Sequence, residues 1–360
     1  MKLFTLGPVE MYERTLQVGG RQDQYNRLPE FSSVMQETDG LLKEFLNAPQ
    51  GYYSIYLSSS GTGGIESTII NCFTPQDKML IVNGGTFGMY FVNICTIHKI
   101  PFDTIDIPFG ETFTEDYLKP FEGKDYTALL VNIHETSVGQ LYDKQMLADF
   151  CKRNNLYFIV DAISSVGMDE LDITKYGIDA TIISANKGLA LSSGIAIVVL
   201  SERLYEEKIK DSETKSFYFD FKSYITNFER FQTPFTPAIG ILQQLNDRLK
   251  MIAENGGAAK MVEETRLKAE YFRSKVVEIP LELASFPFSN ACTPINLEEG
   301  LSAITIHKKL KDEYGLMIHS TPPARERYFK VGHFGDLQIS DYNQLLCALE
   351  KVVKELRAKL

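Results

Sequence analysis

The hydrophobic positions of the chain fall into two patterns. Up to residue 230, short and uniformly apolar runs at 52–57, 79–82, 128–133, 156–160, 180–183 and 195–200 alternate with stretches of helical spacing such as 144–154. A strand that faces water on one side alternates apolar and polar residues. These runs do not, so they read as strands of a sheet covered on both faces, and the intervening helices make that sheet largely parallel. In such sheets ligands sit beyond the carboxyl ends of the strands.

Near residue 230 the pattern changes. Phe231-Gln232-Thr233-Pro234-Phe235-Thr236-Pro237 breaks it, and a long helical stretch over 238–276 follows, interrupted at Gly256 and Gly257. A helix over 302–314, a strand-like run at 328–331 and an amphipathic terminal helix from 340 complete a smaller α+β unit. The expected fold class is therefore α/β, with a large, mostly parallel sheet covered by helices and a smaller C-terminal α+β domain. The expected segments are 1–20, packing at the domain junction because residues 4–9 are too apolar for a free tail, then 21–240 as the large domain and 241–360 as the small one.

Composition narrows this picture. The chain has 360 residues, more than the roughly 250–300 at which one hydrophobic core stops growing, which favours two packed domains. With 44% hydrophobic and 23% charged residues it has the balance of a folded globular protein. A net charge of −10 and no basic run argue against nucleic acid as a partner. The five cysteines are scattered without CxxC spacing and read as reduced thiols, and no metal site is read. No charged-then-apolar leader is evident and no apolar run approaches the ~20 residues that cross a bilayer, so the expected location is cytoplasmic, without membrane association.

Four features fall at the ends of expected strands. Ser58-Ser59-Ser60-Gly61-Thr62-Gly63-Gly64 opens a helical pattern and suits a phosphate cradle, since small residues let backbone N–H groups approach an anion at a helix start. A capped tight turn is the plainer reading. It is neither a Walker loop nor a dinucleotide fingerprint, because no Gly-Lys-Ser/Thr closes it and Glu66 stands where a glycine is required. Asp161 directly follows the strand 156–160, where a carboxylate is costly without a cationic or hydrogen-bonding partner, although a helix N-cap would also explain it. Lys187 lies between a strand end and Gly188, placed to aim its amine into the crevice; taken alone, a lysine is usually solvated. Asn132-Ile133-His134-Glu135-Thr136-Ser137-Val138-Gly139 collects hydroxyl, imidazole and carboxylate groups at one strand end, either to bond a polar ring or substrate or to cap a loop. Phe87, among glycines after a further strand, offers a π-face for a planar heterocycle or a core contact. Phosphate donors, a stacking ring, an anion for a ring nitrogen and an amine nucleophile together meet the needs of pyridoxal phosphate.

On these residues the chain resembles the class V, fold type I pyridoxal-phosphate-dependent aminotransferases, in particular the alanine–glyoxylate, serine–pyruvate and 2-aminoethylphosphonate–pyruvate group. The likeness spans nearly the whole chain. Thr5-Leu6-Gly7-Pro8 is similar to the family's opening, Arg27-Leu28-Pro29-Glu30-Phe31 to its Arg-x-Pro-Glu-Phe segment, Ser60-Gly61-Thr62 to its phosphate loop and residues 134–139 to its His-Glu-Ser/Thr-Ser-Thr-Gly run. Lys187 follows Asp161 by 26 positions, the family's spacing. The resemblance implies that Lys187 carries the cofactor as a Schiff base and then moves a proton at the substrate. It implies that Asp161 keeps the ring nitrogen protonated, Phe87 stacks on the ring, Thr136 bonds near the ring oxygen, and Asn186 contacts the phosphate or backbone. Thr233 would reach the phosphate of a neighbouring subunit, which implies a homodimer with shared sites. The activity implied is transfer of an amino group from a small donor, of the alanine, serine or 2-aminoethylphosphonate type, to a 2-oxo acid such as pyruvate or glyoxylate.

Two departures stand out. Asn186 replaces the usual Gln before the lysine. Lys330 replaces the arginine that clamps a substrate carboxylate, and a point charge cannot reproduce that fork; Lys330, Arg325 and Arg327 are the candidates for the role. The same cofactor could also serve a lyase or desulfurase, although Cys292 lacks the residues that surround a desulfurase nucleophile, or a non-catalytic binding module.

Overall fold

The structure, a computed structural model, describes residues 1–320 and 326–359. The apolar runs form one seven-stranded sheet in the order Tyr53–Leu57, Ala196–Leu200, Ala180–Ser184, Tyr157–Asp161, Ala128–Asn132, Met79–Asn83, Phe102–Asp106. The last five are mutually parallel. Ala196–Leu200 runs antiparallel to both its neighbours. Successive residues point to opposite faces, and both faces are buried: Leu80, Val82, Leu129, Val131, Phe158 and Val160 enter one core, while Met79, Ile81, Ala128, Leu130, Tyr157 and Ile159 enter the other. Burial on both sides removes the polar alternation and explains the continuous apolar runs.

Helices Pro29–Leu46, Lys144–Arg153 and Ile239–Glu254 cover the first face, contributing Phe31, Met35, Leu147, Phe150, Leu242 and Leu249. Gly61–Cys72, Thr86–Ile97 and Phe221–Phe228 cover the second, through Ile65, Ile69, Phe91, Ile94 and Phe221. Elements additional to the sequence reading include the helices Pro29–Leu46, Thr86–Ile97 and Phe221–Phe228 and the edge strand Phe102–Asp106, whose residues are mostly half-buried.

A second sheet orders Lys2–Phe4, Leu316–Ser320, Tyr328–Gly332, Cys292–Asn296 and Glu282–Leu283. Helices Gly257–Val276, Ala303–Tyr314 and Ile339–Arg357 close its core with Phe272, Ile306, Leu310, Leu345 and Leu349. The long helical stretch breaks at Gly256 and Gly257, both at positive φ. Its first half, Ile239–Glu254, packs on the large sheet, and its second half reaches the small one. The first strand of the chain pairs with Leu316–Ile318, so the residues that follow it, Thr5 to Val9, start from the small sheet.

Candidate active site

Parallel register aligns Asn132 with Asp161, and Asp161 with Ile182, at one end of the large sheet. The loops leaving this end enclose a cavity of about 200 Å3, lined by Ser60, Gly61 and Thr62, by Phe87, by His134 and Thr136, by Asp161, Ile163 and Ser164, and by Asn186 and Lys187. Eight of the twelve residues singled out in the sequence therefore meet in one place.

Asp161 is 5% exposed. Its Oδ1 accepts from the Ile163 N–H at 2.8 Å, its only hydrogen bond to the described residues. Burial pushes its carboxyl up to about 7; the Ile163 N–H and the Lys187 charge oppose that rise and Glu135 adds to it. The Lys187 amine, mostly buried, is pushed below the ordinary lysine range by the same loss of water, against the attraction of Asp161. Its Nζ donates to the carbonyl of Leu6 at 2.5 Å. Gly7, at φ +131°, makes that approach possible: a Cβ there would lie 2.7 Å from Lys187 Cδ and Nζ.

The helix Gly61–Cys72 begins at the cavity with Ser60 as N-cap and no side chain capping it. Its first turn closes with Gly64 N–H to the Ser60 carbonyl. The preceding amides and the helix dipole are left for an anion. Asn186 Oδ1 accepts from Ser184 Oγ at 2.7 Å. Phe87, half-buried, stands in the first turn of Thr86–Ile97, edge-on to Tyr90 at 5.4 Å.

The run 134–139 divides its labour. His134 lines the cavity with Nδ1 at 3.0 Å from the Ser164 carbonyl, and burial pushes its imidazole down, towards the neutral form. Thr136 Oγ1 donates to the His134 carbonyl at 3.1 Å and touches the Ser164 hydroxyl. Glu135 turns away from the cavity. Fully buried, it accepts from the amides of Phe87 at 3.4 Å and Gly88 at 3.0 Å, from Asn132 Nδ2 at 2.9 Å, and from the amide and hydroxyl of Ser137. It anchors the start of the helix that carries Phe87.

Three sequence candidates lie elsewhere. Thr233 is buried, its hydroxyl donating to the Phe235 carbonyl at 2.7 Å, in a segment that Arg27 pins through the carbonyls of Thr233 and Pro234. Lys330 is buried; its Nζ donates to the Ser137 carbonyl at 2.6 Å and lies 5.5 Å from the centre of the Tyr328 ring. Arg327 is exposed and lines a different cavity, beside Tyr328 and Leu301. Arg325 lies outside the described residues. The Leu6 carbonyl and the anchoring role of Glu135 are additions from the structure; the turn-rich Gly7-Pro8 pair was the only sequence signal for the former.

Comparison with known proteins gives the class of this enzyme, a transaminase. The aminotransferase class-V family matches residues 9–323, and the chain belongs to that family. Among relatives, it is 25% identical over 346 residues to an L-aspartate–glyoxylate aminotransferase of Paracoccus denitrificans, covering 93% of this chain and 86% of that one. It is 28% identical over 357 residues to a protein of Synechococcus sp. named the small subunit of a soluble hydrogenase, covering 97% and 92%. An alanine–glyoxylate aminotransferase structure from Nostoc sp. shares the fold at a TM-score of 0.91, with 24% identity over 98% of this chain and 94% of that chain.

Proposed function

We propose that the cavity holds pyridoxal 5′-phosphate on Lys187 and that the protein moves an amino group from a small donor to a 2-oxo acid such as pyruvate or glyoxylate. The observation that carries this reading is Asp161, a buried carboxylate with one hydrogen bond, on the wall of a cavity that also presents a depressed lysine amine. A protonated ring nitrogen is the partner it lacks. The uncapped helix start at Gly61 suits the phosphate, and Phe87 suits a ring face.

When bound, the cofactor supplies a carbon that Lys187 can bond to and a ring that draws electrons from the substrate. Asp161 fixes the charge on the ring nitrogen. Lys187 Nζ would hold the cofactor and, as a free amine, would take up and give back a proton at the donor's Cα. His134 and Thr136, tied to the Ser164 backbone and hydroxyl, form a rigid wall on this pocket. Lys330 adds positive potential from behind it, acting on both His134 and His319, and is the cation that the described residues place nearest for a substrate carboxylate. Relatives named for serine–glyoxylate and 2-aminoethylphosphonate–pyruvate transamination support the choice of acceptors.

Two further parts of the reading rest on an exposed aromatic and on the cysteines. A homodimer, with Thr233 contributing to a neighbouring subunit's phosphate site, accounts for Phe217, 85% exposed, beside Phe235. A cytoplasmic location agrees with five unpaired cysteines. A desulfurase gains nothing from the geometry: Cys292 is buried, 3.6 Å from His134 Nε2, and burial pushes its thiol up to about 12. The test is a panel of amino donors with pyruvate and glyoxylate, measuring the amino acid formed. Alanine or glycine formed at the donor's expense supports the reading; no transfer from any donor refutes it.

A further inference from the structure

Behind the Lys187 loop lies a second cavity, of about 190 Å3, which shares no lining residue with the first. Met168, Met251 and Met261 give it an apolar wall, and Arg248 and Lys268 reach it from helices Ile239–Glu254 and Gly257–Val276. Arg248 is 5% exposed. Its Nε donates to the Leu189 carbonyl at 3.3 Å, its guanidinium lies 3.9 Å from the centre of the Tyr12 ring, and the Tyr12 hydroxyl is its other polar neighbour. Lys268, half-buried, has no hydrogen bond or ion pair with the described residues. Glu264, exposed on the rim, and Asp336, which accepts from Gln338 Nε2, carry the nearest negative charge. Neither forms an ion pair with these cations.

A buried guanidinium and a half-buried ammonium that share only the distant charges of Glu264 and Asp336, with no ion pair, are costly, and the cost falls when an anion enters between them. An inorganic anion would leave the methionine wall unused, whereas a carboxylate on a short carbon chain uses both parts. We propose that this cavity is a binding site for a small organic carboxylate, held between Arg248 and Lys268 with its chain against the methionines. The site is wired to the reaction centre from two sides. Arg248 holds the carbonyl of Leu189, two residues beyond Lys187, and Tyr12 belongs to the N-terminal segment whose Leu6 carbonyl receives the Lys187 amine. Occupancy therefore fixes both supports of the lysine, and the site is regulatory.

The test is calorimetric titration of succinate into the cofactor-loaded protein and its Lys268→Met and Arg248→Lys variants, with amide exchange read at residues 187–191. Neither residue lines the Lys187 cavity, so the result does not depend on turnover. The expected result is succinate binding that slows exchange at Leu189 and Ala190 and weakens by about tenfold or more in each variant. Lys268→Met, on a half-buried helix position, retains the fold even where Arg248→Lys does not. Undiminished binding in Lys268→Met, or no binding to the unaltered protein, overturns the proposal.

Discussion

Replacing Asp161 by Asn should stabilise the cofactor-free protein, and the gain should depend on pH. A carboxyl that ionises at about 7 in the folded chain, against 3.8 for an ordinary aspartate, binds more protons folded than unfolded across that interval. Folding stability from this group therefore falls as pH rises from about 4 to about 7 and stays low above it. The interval corresponds to about 4 kcal/mol, as an order of magnitude. Asn keeps an oxygen for the Ile163 N–H and carries no charge to desolvate. Urea unfolding of the cofactor-free proteins across pH 4 to 8 measures the difference. Asp161→Asn should be more stable by about 2–4 kcal/mol at pH 8, with the gap closing near pH 4. With cofactor bound the order should reverse, because only the carboxylate pairs with a ring N–H cation. A variant no more stable than the original at pH 8, or a gap indifferent to pH, would refute the reasoning.

Glu135→Gln should cost about 2–4 kcal/mol in urea unfolding, because one end of the amide would point hydrogens at the donors Gly88 N–H and Asn132 Nδ2, or at those of Ser137 and Phe87, leaving buried donors unpaired. A loss below about 0.5 kcal/mol would mean that Glu135 does not anchor the Thr86–Ile97 helix. Gly7→Ala should lower turnover by about a hundredfold by pushing the lysine amine off its place, with a stability loss of only about 1–3 kcal/mol from the positive φ. Unchanged turnover alongside a shifted melting point would separate Gly7 from the site.

What was legible in the chain follows from where water is excluded. The six strand runs were readable because both sheet faces are buried, so apolarity was uninterrupted. Phe102–Asp106 was not, since an edge strand with Asp103 and Asp106 partly exposed has the polarity of a loop. The helix Pro29–Leu46 did carry a start signal, Pro29 followed by Glu30, and apolar positions at Phe31, Met35 and Leu42. In the site, Asp161 and Lys187 were legible as a pair, each an ionisable residue at or just past the end of a buried strand and 26 positions apart, the spacing of the family they resemble. Glu135 was not, because the side to which a strand-end residue turns depends on the pleat and on a helix start 47 positions away. The contact of Lys187 with the Leu6 carbonyl spans 181 positions and involves a backbone atom, which no residue type announces. Lys330 was recognised as a departure, but its commitment to the Ser137 carbonyl depends on how the small sheet meets the large one.

The most direct test of the account is where the cofactor attaches. The protein loaded with pyridoxal 5′-phosphate, reduced with borohydride and digested, should yield one modified peptide, bearing the pyridoxyl group on Lys187, and the near-visible absorbance lost on reduction should be absent from Lys187→Ala. A modified peptide containing another lysine, or a Lys187→Ala variant that keeps both the absorbance and amino transfer, would contradict it.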